Sequence, residues 1–404
     1  MRHLYEKLIP EKRYKGTYAD FPSELIDGVL ITEALLKISL PLQLLPRQMV
    51  VGYLPSGPIS SVGFTHGVPG SSSLAGVTFL SDRRVRRALL QKHGMKVPEG
   101  ATFSYESKLE VVKYIRRIGY PVVIKEAMAQ ELGERGTIVN NAQEFDAAIK
   151  RLRVVDERMF SPQADYKNSA YAITGLLPTV TAEDGIELKN EKHRFLIEQH
   201  VPGTKVRLIV IHGSVVCALS KPENTGYDGY NLLKMPHKYQ RVAEKVMDAL
   251  PGIRTLCIDI VVDNVHGDVS EQQCCIVEVS ERLHLHNVLF PSARLAKKIA
   301  SNIVEKEVSY AKFAAQKSMA FFNRSVTAPC KAKGLVDCDK FKEEVDRFYS
   351  TRHSGLILEW QTSDAIKGQM DFAVKGSASE VSSFLNSLSC GHGVSVRPMS
   401  IDVF

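Results

Sequence analysis

Two acidic residues stand inside strongly apolar runs. Asp259 lies within Cys257-Ile258-Asp259-Ile260-Val261-Val262 and Glu278 within Cys275-Ile276-Val277-Glu278-Val279. An uncompensated carboxylate in such a strand is costly, so each acid needs a cation. Hairpin-related strands would bring the two side by side, where magnesium could offset their repulsion and bridge to polyphosphate oxygens. The plainer alternative pairs each acid with its own Lys or Arg.

A lysine closes another apolar run, Pro121-Val122-Val123-Ile124-Lys125, ahead of a loop holding Gly133 and Gly136. An ammonium beside backbone N–H groups that can close over an anion suits phosphate. The ordinary alternative is a lysine whose stem lies along the surface. A third run, Phe195-Leu196-Ile197-Glu198-Gln199-His200-Val201-Pro202-Gly203, passes from apolar to polar and then turns. Its backbone could serve a flat base edge, or it is a plain edge strand with a turn.

Ser280-Glu281-Arg282-Leu283-His284-Leu285-His286 follows directly. Its two histidines alternate as on a strand, but zinc needs more ligands than this spacing offers, and a structural or surface role suits each. The run Arg83-Arg84-Val85-Arg86-Arg87 reads as a solvated helix face, with polyphosphate binding by one arginine as the alternative. Cys274-Cys275 reads as buried strand.

The elements that must hold these groups are legible from Ser81 onward. Ser81 or Asp82 can cap a helix with Val85, Ala88 and Leu89 on one face, ending at Gly94. A second helix, 108–118, carries Leu109, Val112 and Ile115 and stops at Gly119. Strands 121–125 and 137–139 follow, then an Asn141–Glu144 capping box and a helix with Phe145, Ala148, Ile149 and Leu152. The polar stretch 156–192 suggests a lid, a substrate loop or an insertion. Beyond it come strand 195–199, a hairpin over 206–219 turning at His212-Gly213, helix 239–250, strands 256–262 and 275–279, and helix 293–304.

Residues 1–80 are less regular. They offer a short helix over 33–38 and a Gly/Ser/Pro-rich stretch over 52–73. Residues 323–335 read as a linker. The tail, 336–404, reads as a ferredoxin-like βαββαβ unit. Its strands would be near Leu335-Val336 and at 356–360, 370–375 and 394–399, with helices at 339–349 and 378–388.

The chain has 404 residues, 44% apolar and 24% charged, which excludes a mostly disordered or collagen-like chain. A net charge of +7 is mild over this length. It suits anionic small molecules more than a nucleic-acid groove. Seven cysteines without a C-x-x-C pair argue against a disulfide framework. Neither a signal-peptide core nor a membrane-length apolar run is found. The expectation is a cytoplasmic protein that binds neither nucleic acid nor membrane, with homodimerisation left open.

In order, these segments resemble the ATP-grasp superfamily of carboxylate–amine ligases, such as cyanophycin synthetase, D-alanine–D-alanine ligase and natural-product peptide ligases. The likeness runs from about Thr78 to Glu305 and rests on five stretches: Ser81-Asp82-Arg83 with Gly94-Met95-Lys96-Val97-Pro98, Gly119 to Lys125, Leu196 to Gly203, Ile258-Asp259-Ile260 with Val277-Glu278-Val279-Ser280, and Leu285-His286 with Pro291-Ser292. The implied fold is α+β and α/β, two subdomains (81–193 and 194–322) gripping ATP between an N-terminal region (1–80) and the tail domain. The implied cofactors are ATP and Mg2+. Arg83, Lys125, Gly133 and Gly136 would serve the phosphates. Glu198, Gln199, His200 and Val201 would hold adenine. Asp259, Glu278 and Ser280 would ligate magnesium. Arg207 and Lys221 would lie near the developing acyl phosphate, and Arg282 would bind a substrate carboxylate. Lys205 stands where an acid commonly contacts ribose, and Ser280 where Asn is usual. The resemblance implies ATP-dependent amide or peptide bond formation between amino acids or short peptides. A degenerate, nucleotide-binding regulatory or scaffold protein is the alternative.

Overall fold

The computed structural model describes residues 25–45, 48–54, 61–105, 107–127, 136–159, 194–221, 230–269, 271–311, 325–352, 355–389 and 394–404. Helix α1 (Ile26–Lys37) opens them and is buried on every side. It lies against helices 293–310 and 378–389. Its buried Glu33 is matched by Lys37 at 2.6 Å and Lys297 at 3.2 Å. The sequence predicted only 33–38 here. A helix buried on every side has no single-face periodicity to read. A meander follows: β1 (Leu42–Leu45), β2 (Met49–Tyr53), β3 (Ser61–Thr65) and β4 (Val68–Pro69). Helix α2 (Leu74–Ser81) is capped by Ser73, and α3 (Arg83–Lys92) by Asp82, whose carboxylate accepts from the Arg84 N–H at 2.9 Å.

The next sheet has four strands. Along the chain run β5 (Gly100–Ser104), α4 (Lys108–Ile118), β6 (Val122–Glu126), β7 (Thr137–Val139), α5 (Ala142–Met159) and β8 (Arg194–Gln199). The sheet order is β5-β8-β6-β7, antiparallel throughout. Val111, Ile115, Val122, Ile124, Phe195 and Ile197 form its core. The α4 stripe differs from expectation. Val111 and Ile115 are buried, whereas Leu109 and Val112 are exposed. At the start of α5 the Asn141 Oδ1 accepts from the Glu144 N–H at 2.9 Å, as the expected capping box requires, while the Glu144 carboxylate accepts from the Asn140 N–H at 2.8 Å, one residue earlier than that box would have it. Gly133 and residues 160–193 lie outside the described residues; 156–159 continue α5.

The second sheet comprises β9 (Thr204–Ile211), β10 (Ser214–Lys221), β11 (Asn231–Leu232), β12 (Thr255–Val262) and β13 (Cys274–Ser280), in the order β11-β10-β9-β12-β13. Helix α6 (Gln240–Ala249) packs on one face, where Val206, Leu208 and Val210 meet Leu80, Leu90, Ala243 and Val246. The other face, with Ile209, Ile211 and Cys257, joins the core of α1 and α8 (Ala293–Tyr310); the short helix α7 (His286–Leu289) precedes α8. Alternating residues along β9 therefore enter different cores, as a strand's period of two requires. His212 and Gly213 turn the β9–β10 hairpin with φ of 46° and 83°.

The tail runs β14 (Ser325–Lys333), α9 (Cys338–Arg352), β15 (Ile357–Asp364), β16 (Gln369–Ser377), α10 (Ala378–Ser389) and β17 (Ser400–Val403). The βαββαβ order and the β15-β16-β14-β17 arrangement are ferredoxin-like. Three expectations are corrected. Residues 325–333 of the expected linker are a strand, Leu335-Val336 is not one, and the last strand is 400–403 in place of 394–399. Pro329 and the lysines disguise β14, yet Ala328, Cys330 and Ala332 alternate inward. The proline carbonyl faces the end of β17, accepting from the Phe404 N–H, so its lack of an N–H falls where that partner strand runs out. The ferredoxin-like unit is also not freestanding. β17 pairs with β1, giving one eight-stranded sheet, β15-β16-β14-β17-β1-β2-β3-β4. Among the described residues, no helix is long and apolar enough to cross a membrane.

Candidate functional site

Lys125 is buried near the end of β6. Gly136 makes room for its stem: a Cβ there would stand 2.7 Å from Lys125 Cγ and 2.4 Å from Val123 Cγ1. The Lys125 ammonium donates to the Val277 carbonyl at 2.7 Å. It lies 2.6 Å from Glu198 Oε2 and 3.5 Å from Glu278 Oε2. Val277 and Glu278 belong to the second sheet, so one lysine links the two sheets.

Helix α3 supplies three more cations at i, i+3 and i+4, a spacing that places them on one face. Arg83 donates from Nη1 to the Glu126 carbonyl at 2.7 Å, and its Nε lies 3.5 Å from Glu278 Oε2. That buried Nε has no hydrogen-bond partner among the described residues. Arg86 pairs with Glu278 and donates to the Val279 and Leu80 carbonyls. Arg87 pairs with Glu198 and donates to the Pro98 carbonyl at 2.8 Å. The expected solvated face is corrected: Arg83 and Arg86 are 5% and 4% exposed. Gly100, opposite Glu198 in β5, lets this packing form. A Cβ at that position would meet Glu198 Cγ at 2.9 Å and Arg87 Nη2 at 3.1 Å.

Asp259 and Glu278 are direct cross-strand partners, as the hairpin argument requires. The plainer pairing with basic residues is what forms. Arg207 grips Asp259 through two contacts of 2.6 and 2.7 Å, and Lys205 adds a third at 2.5 Å. Burial alone would raise both carboxyls, but neighbouring cations hold them well below the usual range. Arg207 and Lys205 act on Asp259; Arg83, Arg86 and Lys125 act on Glu278. Burial likewise opposes the charge of Arg207, and Asp259 more than restores it. The Ser280 hydroxyl accepts from the Arg282 N–H at 3.1 Å. Asp259, Glu278 and Ser280 therefore present no vacant donor set for magnesium. No group of three or more His, Cys, Asp or Glu among the described residues is placed to hold a metal. The magnesium expectation does not fit this arrangement.

The other expected residues disperse around this centre. Lys221 Nζ sits 5.9 Å from the Tyr230 ring, and Arg207 Cζ lies 5.2 Å from the same ring. In the stretch expected to hold adenine, the Gln199 N–H goes to the Glu99 carbonyl at 2.8 Å and the His200 N–H to the Pro121 carbonyl at 3.1 Å. These two N–H groups are thus committed, as is the Glu198 side chain, and Val201 follows beyond the strand. His284 and His286 stand edge to face, 5.9 Å apart, in a turn leading into α7, not on a strand. The sequence missed Asp27. Buried on α1, it accepts from the His284 and Leu285 N–H groups at 3.0 and 2.7 Å. Burial raises its carboxyl to about 6; those bonds and the Arg282 charge oppose the rise. Asp27 recognises backbone N–H groups 257 and 258 positions away, so no local pattern could find it.

Residues 82–164 match the family model described as the carbamoyl-phosphate synthase L chain, ATP binding domain. That stretch holds Arg83, Arg86, Arg87 and Lys125. The match spans 83 of the 404 residues and covers α3, the first strands of the four-stranded sheet and Lys125.

Similar solved structures include a RimK domain ATP-grasp protein from Sphaerobacter thermophilus, at 20% identity and TM-score 0.37, covering 60% of this chain and 70% of that one. Another is D-alanine–D-alanine ligase from Bacillus anthracis complexed with ATP, at 14% and 0.39, covering 60% and 69%. A third is a bifunctional glutathione synthetase from Pasteurella multocida, at 13% and 0.39, covering 65% and 41%. Superpositions this loose transfer no substrate. No curated protein sequence matches the chain. At this centre four cations, Arg83, Arg86, Arg87 and Lys125, face two carboxylates, Glu198 and Glu278, and the buried Arg83 Nε has no hydrogen-bond acceptor among the described residues.

Proposed function

We propose that the chain is an ATP-dependent ligase that joins a carboxylate to an amine, with amino acids or short peptides as substrates. The observation that carries this reading is the approach of Lys125 on one sheet to Glu278 on the other, at 3.5 Å, with Arg83 and Arg86 beside them. A triphosphate held there would face fixed cations before, during and after transfer. Such transfer depends on positioning and charge more than on covalent help from the protein. The substrate carboxylate oxygen attacks the γ-phosphorus and ADP departs. The amine attacks the acyl carbon, phosphate leaves, and the amine's proton passes to solvent. Lys221 is the cation we assign to the acyl phosphate and Arg282 the one for a substrate carboxylate. Arg207 would act only through Asp259, because that acid occupies its guanidinium.

A second reading, a nucleotide-binding regulatory protein without turnover, draws on a different observation. Both central acids are already neutralised by fixed cations. One experiment separates the two. Purified protein is incubated with ATP, magnesium and pooled amino acids and peptides. ADP and phosphate release that needs both a carboxylate and an amine supports the ligase. ATP binding without turnover supports the regulator. AMP and pyrophosphate would overturn the acyl-phosphate route, and absence of ATP binding would overturn both.

A further inference from the structure

We infer that the phosphates bind this cleft as a metal-free anion, and that Glu278 is the resident counter-anion they displace. The inference deepens the ATP reading above and rests on it.

Three cations converge on Glu278, and each has a second anchor that does not depend on it. Arg83 is held by the Glu126 carbonyl, Arg86 by the Val279 and Leu80 carbonyls, and Lys125 by the Val277 carbonyl and Glu198. When Glu278 moves away, the three stay where they are, aimed at one point. Fixed donors of this kind need no reorganisation to receive an anion.

Of the three acids in the cluster, Glu278 is the one able to move. Its side chain is 25% exposed, against 4% for Glu198 and 2% for Asp259. It also stands on β13, the last strand of its sheet. Arg83 Nε, facing it without a hydrogen-bond partner among the described residues, is a donor that a phosphate oxygen can satisfy. An arginine fork suits phosphate as well as carboxylate.

A divalent ion has no comparable entry. It would have to part Asp259 from Arg207 and Lys205, and the Ser280 hydroxyl from the Arg282 N–H. It would also join a cluster in which Arg83, Arg86, Arg87, Lys125, Arg207 and Lys205 already outnumber Glu198, Glu278 and Asp259. The resident cations supply the neutralisation that a metal would bring to the phosphates.

The test is calorimetric titration of the full chain with ATP, once with EDTA and once with excess magnesium at matched ionic strength. The expected result is metal-free affinity equal to or tighter than affinity with magnesium. Tightening by more than about threefold on adding magnesium overturns the metal-free site. In EDTA, E278Q should bind ATP about tenfold more tightly, since the competing charge is gone. Unchanged or weaker binding by a folded E278Q in EDTA overturns the displacement, and weaker binding by E278Q than by wild type in excess magnesium marks Glu278 as a metal ligand and overturns the metal-free site. If E278Q fails to fold, the wild-type comparison decides. If ATP binds in neither buffer, the ATP reading fails on its own, and inorganic tripolyphosphate in EDTA decides whether the anion site stands.

Discussion

Asp259 and Glu278 face each other across β12 and β13, and separate sets of cations close on each. Arg207 and Lys205 hold the first; Arg83, Arg86 and Lys125 hold the second. Like charges at adjacent strand positions are tolerable because each is neutralised from its own side. Removing one partner should therefore damage the fold as well as the chemistry. Asp259→Ala leaves Arg207 buried without its counter-charge and should cost about 3–5 kcal/mol in urea unfolding. The pair Arg207→Met with Asp259→Leu should cost less than Asp259→Ala alone. An Asp259→Ala protein as stable as the wild type would contradict the buried pair.

Lys125→Ala removes a side chain that ties the two sheets together through Glu198, the Val277 carbonyl and Glu278. ATP binding should weaken by roughly 10- to 100-fold, the loss expected for a hydrogen bond to a charged group. Lys125→Arg should not restore it, because the longer fork cannot follow the path over Gly136. Calorimetry on both variants checks this, and full affinity in Lys125→Arg would refute the steric part.

Gly136→Ala tests the same path from below. Its new methyl would press on Val123 Cγ1 and on the Lys125 stem. The expected outcome is weaker nucleotide binding with a smaller loss of stability, since only side chains need shift. Unchanged binding would mean that the stem has room the structure does not show.

Asp27 sets a pH dependence. Its folded pKa is about 6 against 3.8 for the ordinary group, with burial as the cause and the bonds from Leu285 and His284 in opposition. Between those values the native state holds a proton that the unfolded state has lost. The contribution is therefore greatest below the unfolded pKa and declines as pH rises through the folded one, by about 3 kcal/mol in all. The wild-type minus Asp27→Asn difference in unfolding free energy should fall by that amount between about pH 4 and pH 7. A constant difference would contradict it. Asp259 and Glu278 act with the opposite sign. Their depressed carboxyls add stability above the ordinary range, and it is lost on acidification.

The legible parts of the chain were those with local signals. β7 and the His212-Gly213 turn lie where periodicity and turn chemistry put them, because neighbours a few positions apart decide them. Helix α1 was hidden by its burial on every side, and β14 by Pro329 and its lysines. The β1–β17 pairing has no local signature at all, since Gln43 and Asp402 stand 359 positions apart. At the site, Lys125, Asp259 and Glu278 were visible as charges in apolar strands. Their arginine partners were not, because a basic helix run resembles an ordinary wet surface until something packs against it. Gly100 and Asp27 matter only through contacts across the fold.

The pairing of β17 with β1 also has a consequence for how the chain is made. A ribosome delivers Leu42–Leu45 early and Ser400–Val403 near the end of the sequence. Throughout the interval the nascent polypeptide carries a β1 edge with an unmet backbone ladder, open to pairing with any neighbouring strand. Truncation before Ser400 would make that transient hazard permanent and expose the facing edge of β14 as well. Shortened versions should accumulate as aggregates even though every residue around Lys125 is still present.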